Sequence, residues 1–260
     1  MPQPTAKIES MEETLSQAEK DAINELAFPV QRILNQIEPE LEEGAYRLII
    51  GDDVSGRIPA IVMNEAIAKI YKAYGHPTPL LRFVAGGRRP GEHGLDSRDR
   101  SDDMKERVRG LNDELLRKGD APRALLVTEA IATGNAMHMV TSTLRDERIK
   151  TDIAALGFIG ADVEGGDGNL EQVKARLNGA RLIVGTENLP SLYGDRNLRL
   201  LQGVSKEHGS STSTRLTDYE IHREDVPFIQ AKINAARVLA LKVGSDIADV
   251  YLTGKLEQAA

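Results

Sequence analysis

"RALLVTEAIATGNAM", residues 123–137, decides how the chain is read. An apolar run, Ala124 to Val127, passes through Thr128 to a single acid, Glu129. A turn of small and polar residues follows, Ala132-Thr133-Gly134-Asn135-Ala136. A short apolar run closed by turn residues predicts a buried strand, here 124–128. A tight small-residue turn leading into a helix lets backbone amides approach an anion, and the helix N-terminus adds positive potential. Thr133 can add a hydroxyl hydrogen bond. A carboxylate just before such a turn suits neutral hydroxyls or a metal better than it suits phosphate. The stretch therefore reads as a sugar-phosphate site, with Glu129 on the sugar and residues 132–136 on the phosphate.

Helices and strands alternate on both sides of it. "YRLIIG" (46–51), "LLRFVA" (80–85), residues 153–159 and "RLIVG" (181–185) read as further strands, with apolar-striped helices between them. Residues 9–27 predict a first helix, with Ser10 and Glu13 at capping-box spacing. The fold class expected is α/β: a mostly parallel sheet flanked by helices, with helical additions at both ends of the chain. Residues 86–101, "GGRRPGEHGLDSRDRS", predict a long polar loop, and loops of that length usually act in function. "SKEHGSSTSTR" (205–215) predicts another loop. Residues 226–252 predict a long amphipathic helix that packs on the sheet or forms a dimer contact.

Composition narrows the classes. The 260 residues carry a formal charge of -7, against the basic surplus that a nucleic-acid binder shows. No apolar run approaches a membrane span, and "MPQPTAKIES" lacks a signal core. The chain has no cysteine, which excludes disulfides, thiolate metal sites and cysteine nucleophiles, and fits a cytoplasmic protein. HExxH, EF-hand, Walker and GxSxG patterns are missing, and the five histidines lack metal-ligand spacing.

"LLVTEAIATGNAM" resembles the phosphoribosyl-diphosphate signature of type I phosphoribosyltransferases, in which an apolar strand leads to two acids, a few small residues and Thr-Gly. The resemblance implies that Ala132, Thr133, Gly134, Asn135 and Ala136 hold the ribose 5-phosphate. It implies that Glu129 contacts the ribose hydroxyls and stabilises charge on the ring. Thr128 stands where the family has its first acid. "LIIGDDVSGRIPAIVMNEAIA" falls where the family has its pyrophosphate loop. Gly51, Ser55, Gly56 and Arg57 suit that role, and Asp52 and Asp53 would hold a bridging Mg2+. "FVAGGRRPGEHG" (83–94) falls where the family has a mobile loop that brings a basic residue to the leaving pyrophosphate, making Arg88 and Arg89 candidates. Arg98 and Arg100 are weaker ones.

The resemblance divides the chain into an N-terminal helical segment (1–45), an α/β core (46–187) and a hood-like segment with a C-terminal helix (188–260). In the hood, Tyr193 could stack on a base and Asn188 could hydrogen-bond it. The activity implied is a pentosyl transfer: ribose 5-phosphate passes from phosphoribosyl diphosphate to a small nitrogenous acceptor, in a homodimer without nucleic-acid or membrane partners. The alternative is a non-catalytic protein of the same fold that senses phosphoribosyl diphosphate or a nucleotide. Thr128 favours the sensor, and the long basic loop favours the enzyme.

Overall fold

The structure is a computed structural model. It describes residues 14–52, 56–84, 95–117, 123–159, 169–177, 179–188, 190–194, 198, 200–206, 213–215 and 225–259. In chain order these form α1 (Gln17–Asn24), α2 (Ala27–Gln36), α3 (Glu38–Glu42), β1 (Leu48–Asp52), α4 (Arg57–Tyr74), β2 (Leu80–Val84), α5 (Leu95–Arg117) and β3 (Arg123–Ile131). There follow α6 (Asn135–Asp146), β4 (Lys150–Phe158), α7 (Leu170–Arg176), β5 (Arg181–Thr186), α8 (Ser191–Gly194), a 3-10 turn (Leu200–Gln202), β6 (Val204–Lys206), β7 (Ser213–Arg215) and α9 (Val226–Ala259).

Strands β1–β5 make one parallel sheet in the order β2-β1-β3-β4-β5. The expected α/β class holds, and the sheet is consistent with the core that the resemblance implies. The order also explains the helical ends. Parallel crossovers are right-handed, so α4, which runs outward from β1 to β2, covers one face. The crossovers through α5, α6 and α7 run the other way and cover the opposite face. One face would be left with a single crossover helix, and the terminal helices complete it. Its core joins Ile23, Val30, Ile33 and Leu34 of α1–α2 to Ile49, Leu125, Val127 and Leu156 of the strands, Ile67 of α4 and Leu239 and Ile247 of α9. The second core takes the alternate strand residues Leu48, Ile50, Leu126 and Ile153, with Met104, Val108, Val140, Leu144 and Val173 from the helices. That alternation is the period-two signature of strands buried on both faces.

Several expected boundaries move. Among the described residues the first helix begins at Gln17, and its capping box is Ser16 with Glu19: Ser16 Oγ accepts from Glu19 N, and Glu19 Oε2 accepts from Ser16 N. Ser10 and Glu13 lie outside the described residues. The backbone of Leu95–Arg117 is one helix, so the second half of the expected long loop, including Arg98 and Arg100, is helical. The expected loop at 205–215 contributes to an antiparallel ribbon, with Val204 opposite Arg215 and Lys206 opposite Ser213. Among the described residues, no helix is long and apolar enough to cross a membrane.

Candidate active site at the carboxyl ends of β1 and β3

In an open parallel sheet, the crevice for a ligand opens at the carboxyl ends of two neighbouring strands whose connections leave in opposite directions. Here that pair is β1 and β3. Register sets Gly51 beside Val127, so the end of β1 lies against the start of the Thr128-Glu129 pair. The two motifs lie about 75 residues apart in the chain, and the fold brings them to the same place.

Strand β3 runs to Ile131, three residues past the expected end, because β4 continues to pair with it: Thr128 opposes Ala155, and Ala130 opposes Gly157. β1 has already stopped at Asp52. Thr128 and Glu129 therefore sit within a strand that overhangs its neighbour, not at a strand end. Each is 1% exposed. Thr128 Oγ1 donates to the Ala130 carbonyl at 3.2 Å. By alternation Glu129 follows Leu125 and Val127 toward the face covered by α4.

The turn divides its tasks. Gly134 is the residue before α6, with φ of 77°, a left-handed conformation that glycine adopts without strain. A Cβ there would lie 3.2 Å from Val173 Cγ1, so this glycine serves the turn and its packing on α7. Thr133 Oγ1 accepts from Asn135 N at 3.4 Å and keeps its own proton to donate. The first amides of a helix lack intrahelical acceptors, which makes those of Ala136 and Met137 the candidate ligand donors of α6. Arg176 was not singled out in the sequence. Its Nη1 donates to the Thr133 carbonyl at 3.2 Å, which brings a cation to the turn from the end of α7. His138 Nδ1 shares a 2.7 Å hydrogen bond with the Arg176 carbonyl and ties the two helices together.

The β1 side differs more from expectation. Gly51 is a packing glycine: a Cβ would meet Phe83 Cδ1 at 2.7 Å and Ala60 Cβ at 2.9 Å. Gly56 is required because a Cβ would meet the Val127 carbonyl at 2.5 Å and Asp52 N at 2.8 Å. Its amide donates to the Asp52 carbonyl at 2.5 Å. Both glycines close the chain on itself instead of opening backbone to a ligand. At the start of α4, Ile58 N donates to Gln202 Oε1 at 2.9 Å, and Pro59 has no N–H. The Arg57 guanidinium stacks 4.3 Å from the Phe83 ring centroid. Asp52 is 5% exposed. Asp53, Ser55, Arg88 and Arg89 lie outside the described residues.

Gln202 is a second residue that the sequence did not reveal. It comes from the 3-10 turn, is 1% exposed, and its Nε2 is buried without a hydrogen-bond partner among the described residues. A lone glutamine 144 positions from its partner carries no local signal. Asn188 is exposed, and its backbone N donates to Thr186 Oγ1 at 3.2 Å. The side chain of Tyr193 lies outside the described residues. Among the described residues, no three histidine or acidic side chains cluster to hold a metal. Comparison of the chain with family models, curated proteins and solved structures found no match.

Proposed function

We propose that this crevice binds phosphoribosyl diphosphate and that the protein is a phosphoribosyltransferase acting on a small nitrogenous acceptor. The observation that carries the reading is the convergence of Glu129, the helix-opening turn 132–136 and the Asp52–Arg57 connection on one pair of strand ends. The 5-phosphate would rest on the Ala136 and Met137 amides and the Thr133 hydroxyl, with Arg176 adding charge. The acceptor nitrogen would attack ribose C1 as the C1–oxygen bond breaks. The electron pair would leave with pyrophosphate, and the nitrogen would lose its proton to solvent or a nearby base. Glu129 would offset the positive charge that builds on the ribosyl ring in that transition state.

Magnesium is part of the proposal, since it binds through one or two carboxylates plus substrate phosphates and water. Asp52 fits that requirement as a single carboxylate at the end of β1. The metal would neutralise charge on the leaving pyrophosphate. The sensor reading draws on the same geometry: Thr128 spends its hydroxyl on its own strand and leaves Glu129 as the one acid of the pair. Pyrophosphate release, measured with phosphoribosyl diphosphate, magnesium and a panel of purines, pyrimidines and amines, separates the two. Acceptor-dependent release supports the enzyme. Tight binding with no release on any acceptor supports the sensor.

A further inference from the structure

A polar cavity, of about 410 Å³, opens at the end of the sheet opposite the crevice. Its wall includes four cationic residues, Arg123, Arg145, Lys150 and Arg181, and two acids, Glu40 and Asp152. On a chain of net charge -7, this is a local reversal of sign. Its inner part is a network that runs from the buried Tyr46–Asp152 pair out to the exposed Arg181. Arg123 Nη2 donates to Asp152 Oδ2 at 2.7 Å and to Glu40 Oε1 at 3.1 Å. Arg181 Nη1 reaches the same Glu40 oxygen at 2.7 Å. Tyr46 donates its hydroxyl to Asp152 at 2.6 Å.

A network with only a structural role satisfies its buried members. This one does not. Among the described residues, Glu40 Oε2 and Arg123 Nε are both buried without a hydrogen-bond partner, one an acceptor and the other a donor. At the mouth, Arg145 and Lys150 are exposed, and their side chains pair with no acid among the described residues. Gly179 has φ of 81° and open space where a Cβ would stand, which leaves the rim unobstructed.

We infer that this cavity is a second ligand site, for a phosphorylated small molecule that also carries a hydrogen-bond donor, the chemistry of a nucleoside phosphate. Phosphate oxygens meet Arg145, Lys150 and Arg181, and the donor meets the Glu40 carboxylate of the inner wall. The volume lies within the range of small-molecule sites. β3 joins the two ends of the sheet, with Arg123 in this cavity and Glu129 at the crevice. Six residues of strand span roughly 20 Å, too far for a ligand here to share in chemistry there. The inference stands apart from the proposed transfer reaction.

The test is calorimetric titration with ADP, and with inorganic pyrophosphate as a probe that lacks the base and sugar donors. Four proteins are compared: the unaltered chain, Arg145→Glu/Lys150→Glu, Arg145→Gln/Lys150→Gln and Thr133→Val. Both paired changes are at exposed positions, which keeps folding out of the result. The expected result is saturable ADP binding to the unaltered chain, tighter than pyrophosphate. The two charge-removing variants weaken it at least tenfold, and Thr133→Val leaves it unchanged. No saturable binding, equal binding by the paired variants, or loss in Thr133→Val overturns the inference. Pyrophosphate binding as tight as ADP also overturns it, since the donor contact would then count for nothing. Pyrophosphate release by the same variants reports separately on the transfer reaction.

Discussion

Glu129 is the residue on which turnover should depend, because Thr128 offers no carboxylate to replace it. Glu129→Gln keeps shape and removes charge. If that charge stabilises the ribosyl transition state, kcat falls by roughly 30- to 1000-fold, the loss of about 2–4 kcal/mol typical of one electrostatic group. KM should move little, and steady-state kinetics on the active acceptor checks both. Thr128→Asp restores a paired acid, but places it where the wild-type residue is 1% exposed. Burying an added charge there should lower stability as well as change rate. Gln202→Met removes the acceptor for Ile58 N and should cost roughly 1–3 kcal/mol in urea denaturation, the usual penalty for a buried amide left unpaired. The sequence signalled Glu129, Thr133 and Gly134 because their meaning is local: an acid, a hydroxyl and a left-handed turn in one short run. Arg176 and Gln202 act across the fold, on Thr133 and Ile58, and no spacing in the chain announces such pairs. The packing that requires glycine at 51 and 56 was hidden for a related reason. A glycine that admits a ligand and one that admits Phe83 or the Val127 carbonyl look the same in sequence.

At the scale of elements, helix α9 is held to α4 and α1 by different means. Gly244 of α9 lies so close to α4 that a Cβ would meet the Val62 carbonyl at 2.5 Å and Glu65 Cβ at 2.8 Å. Gly244→Val should force the helices apart and lower the melting temperature. The expected cost is about 1–3 kcal/mol, as for overpacking elsewhere. Toward α1, Lys232 donates to Glu19 at 2.7 Å. Burial pushes the Glu19 carboxyl upward, but the hydrogen bonds from Lys232 and Ser16 outweigh it and leave the group below its ordinary value of 4.5. A carboxyl lowered by folding stabilises the folded chain above about pH 4.5. That contribution is lost as pH falls through the folded value. Lys232→Ala should therefore reduce stability near neutrality and flatten the acid limb of a pH–stability curve measured by denaturant titration. The strands were legible because apolar runs bounded by turns have one simple reading. The start of α5 was not. Residues 95–101, "LDSRDRS", are polar and read as loop until the helix that follows is seen to extend back through them.

At the scale of the whole molecule, the strand order accounts for two features together. It leaves one face short of crossover helices, which α1, α2, α3 and α9 then cover. It also opens the crevice between β1 and β3, where Glu129 and the turn 132–136 lie. The central claim is that this crevice holds phosphoribosyl diphosphate with its 5-phosphate on the start of α6. Amide hydrogen exchange of the segment 132–137, with and without phosphoribosyl diphosphate and magnesium, tests it most directly. The account predicts slowed exchange at Ala136 and Met137 when the ligand is added, reduced or lost in Thr133→Val. Exchange at those two amides that is unchanged by saturating ligand would contradict it.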